Sequence, residues 1–151
     1  MSVDTREAIL QRLVAIVTTL KSRGLLAANR NELDIPDPQL PAMTVLDGDE
    51  ASLDSQDGNA RQGLRPRAMI MRPQIRIWSG ASAASIGTDL NRWRALLVPL
   101  VLGDTELIAL TGANGAINYH GCETDLALGR DMLGRMALVF SFKYALDPRQ
   151  L

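Results

Sequence analysis

The residues "HGCETD", 120 to 125, bring His120, Cys122, Glu123 and Asp125 within six positions of one another. A cluster of this kind suggests a metal-ligand set or a thiol activated by an imidazole. A structural zinc site takes four ligands, and His120 and Cys122 are the only histidine and cysteine in the chain. A Cys–His nucleophile also needs a third group to orient the imidazole and donors for an oxyanion, and no motif supplies them. On a regular strand His120 and Cys122 would share a face, and the segment reads as a half-exposed strand carrying one thiol. "DGDEASLDSQDG", 47 to 58, begins like a calcium loop, with Asp47 and Asp49 at its first and third ligand positions. Its fifth position is Ala51, its sixth Ser52 where a glycine is needed, and its twelfth Gly58 where a bidentate glutamate is needed. "TGANGA", 111 to 116, has neither the lysine of a phosphate-binding loop nor the spacing of a dinucleotide fingerprint. The sequence therefore predicts no catalytic residues, no metal site and no cofactor: a protein that is not an enzyme.

The charges of the middle third are arranged more tellingly. Asp47, Asp49, Glu50, Asp54 and Asp57 follow one another with no base between them, and Arg61, Arg65, Arg67, Arg72 and Arg76 follow with no acid. Read as a hairpin, this stretch has an acidic arm and a basic arm. The arms can neutralise each other, or the acidic arm of one copy can meet the basic arm of the next, as in a head-to-tail ring. A third possibility sets the arginines against nucleic-acid phosphates, although no aromatics are interleaved with them.

These charges need a scaffold, and periodicity supplies one. Asp4 and Glu7 have the spacing of a capping box, and Ile9, Leu10, Leu13, Val14, Ile16, Val17 and Leu20 recur at three-and-four spacing. A helix over about 5–23, stopped by Gly24, is expected. Residues 25–33 make a weak edge strand, the prolines of 36–41 an extended connector, and 42–47 a strand. A second strand covers 67–78, with Met69, Met71, Ile75 and Ile77 on one side and Arg72, Gln74, Arg76 and Trp78 on the other. Pro73 marks an edge or bulge within it. Between the two lies a long loop, about 48–66, whose composition suits an unstructured or functional connection. A second helix starts near Gly87 with a stripe of Leu90, Trp93, Leu96, Leu97, Leu100 and Val101, and Pro99 is expected to bend it or end it early. Asp104 caps a short third helix that stops at Gly112. Residues 116–127 read as strand or loop and "LGRDMLG" as a turn. "MALVFSFKYAL", 136–146, is a strand with Met136, Leu138, Phe140, Phe142, Tyr144 and Leu146 on its oily face. The order suggests one α+β domain over 1–151, with two main helices packed on one face of a mostly antiparallel sheet of four to five strands and a long charged hairpin loop.

The bulk numbers agree with a single globular domain. The chain has 151 residues, 46% of them hydrophobic and 22% charged, with a net charge of −1 that gives no general attraction to nucleic acid or membranes. A lone cysteine allows no internal disulfide and suits a reducing compartment. The longest apolar run, "ALLVPLVLG", is far short of a membrane span, and the opening MSVDTRE has no signal-peptide pattern. A cytoplasmic protein without membrane contact is expected.

"REAILQRL", "LPAMTVLDGDE", the basic strand ending "IRIW", and "GCETDLALGRDMLGRMALVFSFKY" occur in this order over most of the chain. In that order they resemble the tail terminator (tail-completion) proteins of long-tailed phages and prophages. The resemblance implies a structural virion subunit, assembled in the host cytoplasm, with helices against an antiparallel sheet. About six copies would close a homohexameric ring on the head-proximal end of the tail tube. That ring would stop tube polymerisation and present a surface to the head–tail connector protein. Its partners would be itself, the tail tube protein and the connector, with DNA passing through the lumen without specific binding. On this reading Asp47, Asp49, Glu50, Asp54, Asp57, Arg61, Arg65, Arg67, Arg72 and Arg76 are interface residues, with Arg72 or Arg76 facing the lumen as an alternative. The rival readings are another virion or head–tail joining role, and a nucleic-acid-binding accessory protein using the arginines of 61–76.

Overall fold

Asp4 opens the first helix, α1 (Thr5–Thr19), by accepting a hydrogen bond from the Arg6 amide (3.1 Å). The structure, a computed structural model, describes residues 4–53, 61–82, 84–127 and 133–151. The last turn of α1 tightens into a 3₁₀ segment, Leu20–Arg23, and ends at Gly24 with φ of 103°, the left-handed conformation that glycine adopts without penalty. Ile9, Leu10, Leu13, Ile16, Val17 and Leu20 are buried along one stripe, as their spacing predicts. The capping box is not completed in the expected way. The Glu7 carboxylate turns outward to Arg30, at 2.7 and 2.9 Å.

The strands are β1 (Ala27–Arg30), β2 (Ala42–Leu46), β3 (Glu50–Ser52), β4 (Arg67–Met71), β5 (Gln74–Ser79), β6 (Ala116–Ala127) and β7 (Leu133–Leu146). They form one mixed sheet of seven strands, so the expectation of a mostly antiparallel sheet of four to five is corrected in number and in type. Two causes account for the difference. β1 runs parallel to β2, because the chain from 31 to 41 crosses the sheet where a turn would have reversed it. The other cause is that two long strands are each broken in the middle.

β7 is the axis of the sheet, with β6 along one side and β5 then β4 along the other. Gln74 lies opposite Val139 and Met71 opposite Phe142, so the register on β7 continues through Pro73 unchanged. Pro73 has no N–H to donate, but its carbonyl accepts from the Phe140 amide (3.2 Å). On the outer side, β2 pairs with β5 through Leu46–Gln74, and β3 pairs with β4 through Glu50–Met71. Three residues, Asp47 to Asp49, therefore face two, Arg72 and Pro73, which is a β-bulge. Gly48 sits in it at φ of 67°, and a Cβ there would fall 2.1 Å from the Arg72 carbonyl oxygen.

Three helices cover one face of the sheet: α1, α2 (Ile86–Leu102) and α3 (Thr105–Thr111). α2 runs through Pro99 to Leu102, three residues beyond the expected break; Pro99 withholds only its own N–H from the helix, and its carbonyl accepts from the Gly103 amide (3.0 Å) to close the last turn. Ile86, Leu90, Trp93, Leu97 and Val101 are its buried stripe, whereas Leu100 is 43% exposed. α3 is capped as expected, with Asp104 accepting from the Leu107 amide (2.9 Å). Beneath the helices lie Met43, Val45, Met71, Ile75, Ile77, Leu138, Phe140, Phe142 and Tyr144. Full burial of such side chains contributes roughly 1.5–3 kcal/mol each, which makes this layer the main stabilising element. Among the described residues no helix packs over the other face along β4, β5 and β7. Only its β1–β2 end is closed, where the Thr44 hydroxyl donates to the Glu32 carbonyl (2.7 Å) and Thr44 and Trp78 are buried. Among the described residues no helix is long and apolar enough to cross a membrane.

Candidate subunit interface

The residues that first suggested chemistry are separated by a second bulge. Pairing of β6 with β7 slips between Tyr119 and Gly121, so Tyr119 stands opposite Phe140 while Gly121 stands opposite Val139. His120 is the extra residue. Its Nε2 lies 2.6 Å from the Ser141 hydroxyl, on the open face. Cys122, opposite Leu138, is on the helix face and exposed. The expectation that His120 and Cys122 share a face is thereby corrected, and the reason is the one-residue slip. The new contact, an imidazole on a serine hydroxyl, is the pairing of an activated nucleophile, but Ser141 is only 2% exposed. It anchors the extruded histidine across the strands. Sequence reasoning had no signal for it, since its partners are 21 residues apart.

The acidic side of the hairpin is tied down inside the subunit. Asp47, at the root of the bulge, takes a two-pronged contact from Arg30 (2.8 and 2.9 Å), and the same guanidinium holds Glu7. Planar guanidinium with two carboxylates is a strong, geometrically specific arrangement. The Arg30 hydrogen bonds keep both carboxyls below their ordinary range, against a smaller opposing effect of burial. Arg6 reaches the same place, donating to the Gly48 carbonyl (2.7 Å). Glu50 accepts from the Tyr144 hydroxyl. Burial pushes its carboxyl up, and the nearby charge of Arg6 only partly offsets this. Asp49 is exposed, and its carbonyl accepts from the Arg72 amide (3.0 Å). Asp54 and Asp57 lie outside the described residues, as do residues 128–132 of the turn expected at 128–134, whose last two residues, Leu133 and Gly134, instead open β7. Among the described residues no three His, Cys, Asp or Glu side chains are grouped to hold a metal ion.

The basic side is divided between two places. Arg61 and Arg65 are exposed on the connection between β3 and β4, and so are Leu64, at 63%, and Leu53, at 44%. Arg67, opposite Leu146, has a contact of its own. Arg72 and Arg76 lie on the open sheet face with Gln74 between them, as the alternation predicted. Among the described residues no ion pair joins Asp47, Asp49 or Glu50 to Arg61, Arg65, Arg72 or Arg76. Part of the 48–66 loop is itself ordered sheet: β3 continues the bulged strand and pairs with β4. The pairing that the sequence could not show runs from Arg30 to Glu7 and Asp47. It joins α1, β1 and the bulge, three elements whose proximity depends on the parallel placement of β1.

The arrangement amounts to a hairpin root held by hydrogen bonds to Arg30, Arg6 and Tyr144, with Leu53, Arg61, Leu64 and Arg65 exposed on the described residues beyond it. The chain matches no protein-family model, and no curated protein sequence is similar to it.

Proposed function

We propose that this chain is a structural subunit of a long-tailed phage or prophage virion, a tail terminator. About six copies would close a ring on the head-proximal end of the tail tube, stop its growth and meet the head–tail connector, with DNA passing through the lumen. The observation that supports this reading best is the hairpin. Its acidic root is engaged within the subunit by Arg30, Arg6 and Tyr144, which ties the start of the hairpin to α1, β1 and β7. Arg61 and Arg65 are unpaired among the described residues, and Leu53 and Leu64 of the same connection are exposed. Arginine combined with exposed apolar side chains is the composition of a protein–protein contact surface. In the ring, Arg61, Arg65 and Asp49 contact the next copy or the tube, and Asp47 and Glu50 hold the arm in position for them.

The test is negative-stain imaging of the purified protein alone and mixed with growing tubes of a phage tail tube protein. Rings of about six copies, and tubes closed at one end that no longer elongate, are expected. Tubes that elongate at the same rate with the protein present, with none of it at their ends, would refute the assignment.

A further inference from the structure

We propose that the open face of the sheet is a sequence-independent binding surface for the phosphate backbone of duplex DNA, with Arg72, Arg76, Arg135 and Lys143 as its contacts. Strand pairing puts all four on one face. Arg76 lies opposite Ala137, Arg135 is two residues along from Ala137, and the continuing register sets Arg72 near Ser141 and diagonal to Lys143. With strands about 4.8 Å apart and about 3.3 Å per residue, Arg135 and Arg76 form one pair about 8 Å apart. Arg72 and Lys143 form another at the same spacing, and the row spans about 26 Å along the strands.

Arg72, Arg76 and Lys143 form no ion pair among the described residues, and Arg72 and Lys143 are exposed. Arg135 gives one nitrogen to Asp125 (2.5 Å), and its Nε is buried without a partner. The acids on this face, Glu123 and Asp125, stand at the β6 edge, beyond Ala137 and Arg135. Asp49 borders the face beside Arg72, in a shallow hollow floored by Gln74 and Val139. The cations run along the seam of β7 with β5 and β4 and have acids on either side: Glu123 and Asp125 line one hollow with Arg76 and Arg135, and Asp49 borders Arg72.

A linear cationic row suits a linear array of anions. Duplex DNA carries one phosphate per about 3.4 Å of axis on each strand, so about 26 Å of face runs beside several phosphates. Trp78, the one Phe, Tyr or Trp on this face, is buried at 4% exposure, and the exposed imidazole of His120 is tied to the Ser141 hydroxyl, so the face has no stacking platform for a run of unpaired bases, which favours a duplex over a single strand. Among the described residues no helix lies on this face to enter a groove, so contact is with backbone and carries no sequence information. The row lies within one subunit, and the inference does not rest on ring formation.

The experiment is fluorescence anisotropy with a labelled 24-base-pair duplex, in buffers from about 50 to 200 mM salt, with the oligomeric mass measured in the same buffers. Three to four phosphate contacts predict that Kd rises about 40- to 150-fold over that range. Arg72→Gln, Arg76→Gln and Lys143→Gln should each weaken binding to every duplex sequence alike and lower the logarithmic salt slope by about 0.9. Lys21→Gln, on the helix side, should leave the slope unchanged. Absence of binding at 50 mM salt, or a slope unaltered by the three face variants, would overturn the proposal. Equal affinity for poly-glutamate at matched charge would also overturn it, by making an acidic protein the occupant. These results are separable from ring formation, since a ring that fails to bind DNA and a monomer that binds it are distinct outcomes.

Discussion

Replacing Gly48 by alanine tests whether the bulge is built as described. The residue stands at φ of 67°, where an L side chain costs roughly 1–2 kcal/mol. The new Cβ would also fall 2.1 Å from the Arg72 carbonyl oxygen and 2.8 Å from its carbon. Both are backbone atoms fixed by pairing to Asp49 and β7, so no rotamer change can relieve the contact, and overpacking of this kind costs about 1–3 kcal/mol. The sum is about 2–5 kcal/mol, which for a domain of this size lowers Tm by about 4–20 °C. Gly24→Ala is the matched control. It has positive φ at 103° but nothing within 4 Å of the new Cβ, so only the conformational penalty applies. Urea unfolding followed by tryptophan fluorescence reads both variants, because Trp78 and Trp93 are buried on opposite sides of the sheet. If Gly48→Ala loses no more stability than Gly24→Ala, the Arg72 carbonyl does not lie over Gly48 and the bulge has been misassigned.

Other expectations concern charge and packing. Arg30→Gln should destabilise by about 1–3 kcal/mol at neutral pH, because two carboxylates lose charge-assisted hydrogen bonds. Glu7 and Asp47 are held below their ordinary range, so this contribution is full above about pH 4 and fades as pH falls through their lowered values. The gap between Arg30→Gln and wild type should narrow accordingly in urea titrations below about pH 4. Glu50 behaves oppositely. Burial raises its pKa, so its ionised form costs stability as pH rises through that raised value, and Glu50→Gln should match or exceed wild-type stability at pH 7. Phe140→Ala, in the centre of β7, should cost about 3–5 kcal/mol in the same unfolding assay. Cys122 should react with a thiol reagent in the folded protein at a rate that His120→Ala leaves unaltered, since the two lie on opposite faces.

Helix positions were readable in the sequence because they depend on local signals. Asp4, Gly24, Asp104 and Gly112 mark ends through capping and backbone conformation, and the stripe of α1 follows from spacing alone. The faces of β5 and β7 were readable for the same reason, since alternation survives wherever one side is buried. What failed depended on pairing. Nothing local separates the strand 67–78 from two strands, because Pro73 breaks hydrogen bonding on one side while preserving register on the other. His120 and Cys122 share a face in any ideal strand, and only the slip against β7 parts them. The parallel direction of β1 was likewise hidden, as Ala27–Arg30 has little strand propensity and owes its place to β2. The candidate interface shows the same division. The two charge runs were visible, but Asp47 and Glu50 find their partners in Arg30 and Tyr144, far along the chain.

The most direct test of the central claim is the solution mass by light scattering, from low to high protein concentration, for the wild type and for Arg61→Glu/Arg65→Glu. The ring reading predicts a mass of about six 16.4 kDa chains for the wild type, alone or once tube ends are added, and a monomer for the charge-reversed variant. A wild type that stays monomeric at every concentration, with and without tube ends, would contradict it.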